Sequence, residues 1–203
     1  MTPGIQSFTE LMQAVRDKKE GVLFVRHSTR DKFPKGMPKD EENAQLLNAA
    51  GVELAHKCGE QLRDVGVAVK KVFSSPVQRC VQTAEMFGLD KTVETSMLLC
   101  ASPFLDGHGS PEASLWREYK KKCGWSDTVA AWLNGTLPGI PDAKGRGADA
   151  HDFLMKYLEN GGLIVVVAHD LSVLCLAEAL GCRNGTLDVP FCGGVFIPFA
   201  RKK

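Results

Sequence analysis

The sequence predicts an α/β protein: a three-layer α/β/α sandwich with a mostly parallel central sheet and a small inserted cap. Three observations predict it. Two apolar runs of strand length, residues 21–25 and 163–168, show no alternation with polar residues, as expected where helices cover both faces of a sheet. Helical periodicities fall between the strand signals, the pattern of parallel strands joined by crossovers. The chain has 203 residues, the size of one such domain, so it can bury a core without staples.

The elements follow in order. Residues 8–19 read as a short amphipathic helix with Leu11, Ala14 and Val15 on its apolar face. Residues 21–25 form a buried strand, followed by a polar loop over 29–40 that contains Pro and Gly. Leu54, Cys58, Leu62 and Val65 repeat at helical spacing, which predicts a helix over 52–65 closed by Gly66. Val72 and Phe73 make a short strand. Val77, Val81 and Ala84 line one face of a helix over 77–87, with Gly88 as its stop. Residues 100–148 are rich in Gly, Pro and Trp and lack a clear strand. They read as short helices in an insertion over the sheet that selects the substrate, packed by Trp116, Trp125 and Trp132. A helix over 148–159 ends at Asn160-Gly161-Gly162. The strand over 163–168 leads at once into a helix over 171–180, and 194–199 form the last strand.

Charge is nearly balanced, 25 basic against 24 acidic residues, so no global field pulls toward nucleic acid or an anionic membrane. The tail Arg201-Lys202-Lys203 reads as a solvated end. Seven cysteines, an odd number without a C-x-x-C pair, favour a reducing compartment. The first twenty residues hold no apolar segment of signal-peptide length. The expected location is cytoplasmic, or periplasmic or secreted if a leader has been removed. The His, Asp, Glu and Cys positions show no metal-ligand spacing, so neither a metal nor another cofactor is expected.

In a parallel sheet, ligands bind beyond the C-terminal strand ends. Three polar clusters fall there: Arg26-His27-Ser28-Thr29-Arg30, Ser74-Ser75-Pro76 leading to Arg79, and His169-Asp170. Arginine suits bidentate phosphate recognition, and a neutral imidazole is a competent nucleophile near neutral pH. Phosphoryl transfer asks mainly for positioning and for positive charge around the equatorial oxygens.

The segment Phe24-Val25-Arg26-His27-Ser28 resembles the R-H-G signature of the histidine phosphatase (phosphoglycerate-mutase-like) superfamily. Residues 74–84, Ser-Ser-Pro-Val-Gln-Arg-Cys-Val-Gln-Thr-Ala, resemble its S-S-P-x-x-R-x-x-Q-T-A segment, and 165–169 its second histidine strand. Leu46 to Leu62, with Gly51 and Ala55, is similar to its L-x-x-x-G helix entry. The resemblance covers most of the chain except 100–148. It implies that His27 is phosphorylated, that Arg26 and Arg79 hold the phosphoryl oxygens, and that His169 binds phosphate and stabilises the transition state. Arg30 and Asp170 match the R-H-x-x-R and H-D pairs of the acid phosphatase branch, which implies a phosphate contact for Arg30 and proton donation by Asp170. Ser28 stands where the motif has glycine. Met97-Leu98-Leu99-Cys100 offers no acid where the mutase branch places a glutamate.

Plainer roles compete. Asp170 directly precedes a helix, where Asp is a preferred N-cap, and Arg30 could be a solvated loop residue. His108 reads as a loop histidine, and His56 and His151 as structural or exposed. Ser28 and Ser75 have no nearby base in sequence and are not nucleophile candidates. The expectation is a metal-independent phosphomonoester hydrolase with a phosphorylated small-molecule substrate. The alternatives are a phosphohistidine or phosphoprotein phosphatase, and a phosphate-binding protein without catalysis. No nucleic-acid or membrane partner is expected, and the sequence leaves the oligomeric state open.

Overall fold

A computed structural model describes residues 4–34, 36–100, 110–158 and 161–199. Its described strands form one five-stranded sheet, in the order β3-β2-β4-β1-β5. These are β1 (Gly21–Arg26), β2 (Val69–Ser74), β3 (Val93–Thr95), β4 (Leu163–Ala168) and β5 (Gly194–Pro198). All pairs are parallel except β1 with β5, so the antiparallel strand closes one edge.

Helices cover both faces. On one, α1 (Phe8–Lys18), α3 (Ala49–Asp64) and α4 (Gln78–Met86) share a core with Leu23, Val25, Val165 and Val167. On the other, α5 (Pro111–Cys123), α6 (Trp125–Leu133), α7 (Ala143–Met155) and α8 (Asp170–Ala179) pack on Phe24, Phe73, Ile164 and Val166. Alternate residues of each central strand thus enter different cores. That is why β1 and β4 are apolar without interruption.

Several expected boundaries shift, each for a physical reason. The loop expected over 29–40 ends in α2 (Lys39–Ala44), a single acidic turn and a half with no apolar stripe to reveal it. Asp40, Glu41 and Glu42 lie in its first turn, where carboxylates favour the helix dipole. The helix expected over 52–65 starts earlier, because Asn48 caps it by accepting from Gly51 N at 2.9 Å. β2 is longer than Val72-Phe73; its first half is partly solvent-exposed and carries Lys70 and Lys71, which hide the strand pattern. β3 was too short to read and pairs only with β2.

The helix expected over 148–159 begins at Ala143 and ends at Met155. Its start is disguised by Gly145 and Gly147. Gly147 is a packing requirement, since a Cβ there would come within 2.1 Å of the Cys175 carbonyl on α8. The described residues from 110 to 148 are largely helical, in α5, α6 and the start of α7. Trp116 and Trp132 are buried in the α5–α8 core with their rings edge to face, whereas Trp125 is about half exposed. His108 lies outside the described residues. All seven cysteines are free thiols. Among the described residues, no helix is long and apolar enough to cross a membrane.

Candidate active site

The sheet register itself brings the three sequence clusters together. Arg26 pairs with Ala168 across β1 and β4, so His27 and His169 emerge side by side. Ser74 pairs with Val167 across β2 and β4, which brings Ser75 and the start of α4 to the same edge. The chain leaves β1 toward the α3 face and β4 toward the α8 face. Neighbouring parallel strands whose chains leave toward opposite faces mark the usual ligand position in such sheets. The two imidazole rings lie 5.6 Å apart, edge to face.

His27 is buried, and its backbone N–H donates to the Ala168 carbonyl at 2.8 Å. Its Nδ1 lies 2.7 Å from the Ser28 carbonyl, which can only accept. The proton is therefore on Nδ1, and Nε2 carries the lone pair. Arg79 Nε donates to that Nε2 at 3.2 Å. Burial and then the Arg79 charge, with smaller contributions from Arg26 and Arg30, push the His27 pKa down from 6.5 to about 3, against the opposing bond to Ser28. His27 is thus a neutral base with an oriented lone pair across the physiological range.

Arg79, at the first turn of α4, ties the site together. Besides His27 it donates from Nη1 to the Glu42 carbonyl at 3.1 Å and from Nη2 to His169 Nδ1 at 3.3 Å. His169 Nδ1 is therefore an acceptor, and the proton on Nε2 faces Ser75 Oγ at 3.0 Å. Burial lowers the pKa of Arg79 and Arg30, with Asp170 and Glu42 acting in the opposite direction; a guanidinium stays charged in any case.

Arg26 lies over the Phe191 ring at 4.1 Å and donates to the Val189 carbonyl at 2.6 Å. Arg30 stacks on Phe33 at 3.4 Å and donates to the Asp31 carbonyl at 2.6 Å. The Nε atoms of both are buried, with no acceptor among the described residues. Asp170 is the first residue of α8, with His169 in the N-cap position. Its Oδ1 accepts from Leu171 N at 2.8 Å, and its Oδ2 lies 3.5 Å from Arg26 Nη2. It serves the helix start and faces the arginines at once.

All six residues singled out from the sequence, His27, His169, Asp170, Arg26, Arg30 and Arg79, thus meet at one sheet edge. Sequence reasoning missed Phe33, Phe191 and Glu42, which lie in the loop after β1, the segment before β5 and α2. No motif or periodicity marks them; only the arginines that lie on or beside them give them a role. His56 is exposed and His151 pairs with Asp152 at 3.2 Å, in line with their plainer readings. Among the described residues, no group of three or more His, Cys, Asp or Glu side chains is arranged to hold a metal ion.

Known proteins share this fold. The structure is similar to the phosphoglycerate mutase of Bacillus anthracis, at 18% identity and a TM-score of 0.58 over 87% of each chain. It is also similar to a phosphoserine phosphatase of Entamoeba histolytica, at 16% identity and a TM-score of 0.53 over 84% of this chain and 86% of that one. At such identities the likeness is one of fold. In sequence, an alignment with mouse ubiquitin-associated and SH3 domain-containing protein A is 29% identical and covers 50% of this chain but only 22% of that protein. Residues 22–188 match the sequence profile of the histidine phosphatase superfamily (branch 1), a span that holds both histidines, all three arginines and Asp170. The chain belongs to that superfamily.

Proposed function

We propose that this protein hydrolyses phosphomonoesters of small molecules through a phosphohistidine on His27, without a metal or other cofactor. The observation that carries the reading is the oriented, neutral imidazole of His27. Its Nδ1 proton is held by the Ser28 carbonyl, and its Nε2 lone pair faces Arg79 beside His169. A binding protein needs the arginines but has no use for a buried imidazole held in the nucleophilic tautomer.

In the first step Nε2 attacks phosphorus in line as the P–O ester bond breaks. Arg79 Nε turns from the lone pair to a phosphoryl oxygen. Arg26 Nε and Arg30 Nε gain the acceptors they lack. His169 supports the developing charge, and Asp170 gives its proton to the departing oxygen. In the second step water attacks phospho-His27, Asp170 takes up the proton, and inorganic phosphate leaves. Residues 100–148 select the substrate.

The test is to quench turnover of an aryl phosphate with denaturant and examine the chain. The expected product is an acid-labile, alkali-stable phosphate on His27, absent from a folded His27→Ala variant. Normal turnover by that variant would falsify the mechanism.

A further inference from the structure

Thr83 sits in α4 one turn beyond Arg79 and is completely buried. Its hydroxyl is used twice. It accepts the Ser28 backbone N–H at 3.0 Å and donates to the Arg79 carbonyl at 2.7 Å. Ser28 is held at a second point by its own hydroxyl, which donates to the Gly51 carbonyl at 2.7 Å. Gly51 lets that happen, because a Cβ there would lie 2.0 Å from the Thr29 carbonyl and push α3 off the loop. The residue whose carbonyl faces the His27 proton is thereby tied down through both its N–H and its hydroxyl.

We infer that Thr83 is a positioning residue that sets the tautomer and aim of His27 by clamping Ser28 and joining it to the Arg79 turn. The inference rests on His27 as the nucleophile but adds a residue that touches neither substrate nor the reacting atoms. The physical reason is the cost of loosening. If Thr83 loses its hydroxyl, the Ser28 N–H is buried without a partner and the loop must shift to satisfy it. A shifted Ser28 carbonyl releases the Nδ1 proton, and a loosened first turn of α4 draws the Arg79 Nε–H away from Nε2, so the proton can move to Nε2 and cover the attacking lone pair. A misplacement of about 1 Å in such a site costs on the order of a hundredfold in rate. The Ser28 hydroxyl bond suits the serine that stands where the superfamily motif has glycine: it anchors the residue to α3 from the other side.

The experiment compares Thr83→Val, which keeps the shape and removes the hydroxyl, with Thr83→Ser, which keeps the hydroxyl. Two readouts are taken. One is the His27 tautomer, from the 15N shifts of the imidazole in the substrate-free protein near pH 7.5. The other is the single-turnover rate of phospho-His27 formation with its substrate dependence. Wild type and Thr83→Ser should show the Nδ1–H form and rates within about threefold of each other. Thr83→Val should show a mixed or Nε2–H tautomer. Its phosphorylation should be slower by roughly tenfold to a hundredfold, with an apparent substrate affinity changed far less. Thr83→Val with a wild-type tautomer, or Thr83→Ser as impaired as Thr83→Val, overturns the clamp. Thr83→Ser alone carries the test if Thr83→Val does not fold, because a tenfold loss or a changed tautomer in it refutes the inference. The tautomer needs no turnover, so a failure of the clamp is distinguishable from a failure of the nucleophile assignment.

Discussion

Burial of neutral His27 should make the protein acid-sensitive in a way that one substitution removes. In the unfolded chain this imidazole takes up a proton near pH 6.5; in the folded protein it resists until about pH 3. Between those values the unfolded state binds one more proton, so stability rises with pH through this window and falls as the pH drops from 6.5 toward 3. The full gap is worth about 5 kcal/mol, at 1.36 kcal/mol for each pH unit. His27 is only 4% exposed, so solvent screening does not dilute it. At pH 4.5 about 3 kcal/mol of the loss should already be present. His27→Gln puts an amide with one donor and one acceptor group in place of the ring and does not titrate. The assay is urea unfolding of both proteins at intervals from pH 7.5 to 4.5. Other titrating groups contribute equally to both and cancel in the difference. The advantage of the wild type over the variant should shrink by about 3 kcal/mol across that range. A difference constant to within about 0.5 kcal/mol would show that His27 is already charged or solvated in the folded state.

Other outcomes follow from the same geometry. Arg79→Ala removes one charge-assisted contact in a desolvated site and should cost on the order of 3 kcal/mol, about a hundredfold in rate, whereas Arg30→Ala, half-buried on Phe33, should cost less; wild-type rates for the Arg79 variant would place the pocket elsewhere. Asp170→Asn should slow phospho-His27 formation from alkyl phosphates far more than from nitrophenyl phosphate, because only the alkoxide needs the proton. An equal loss on both would leave Asp170 as the partner of Arg26 and the start of α8. Hydrolysis should survive exhaustive chelation and be inhibited by vanadate, which mimics five-coordinate phosphorus; a strict requirement for added divalent metal contradicts the metal-free proposal.

By itself the sequence determined the layers and the corners of the site. The apolar runs of β1 and β4 reveal their burial directly, because a strand covered on both faces has no polar positions to interrupt it. His27, Arg79 and His169 stand in motifs at strand ends, and parallel connectivity sends those ends to one edge. Only the tertiary structure decided how they face one another. Register places His27 beside His169, and the Ser28 carbonyl chooses which nitrogen of His27 carries the proton. Neither can be read from residue order, since Ser28 is bonded to Thr83, 55 positions away, and the His27 lone pair faces Arg79, 52 positions away. The same holds for Phe33, Phe191 and α2. Short loops and a six-residue acidic helix bury too little apolar surface to leave a periodic trace, and their roles exist only where the fold lays them against the arginines.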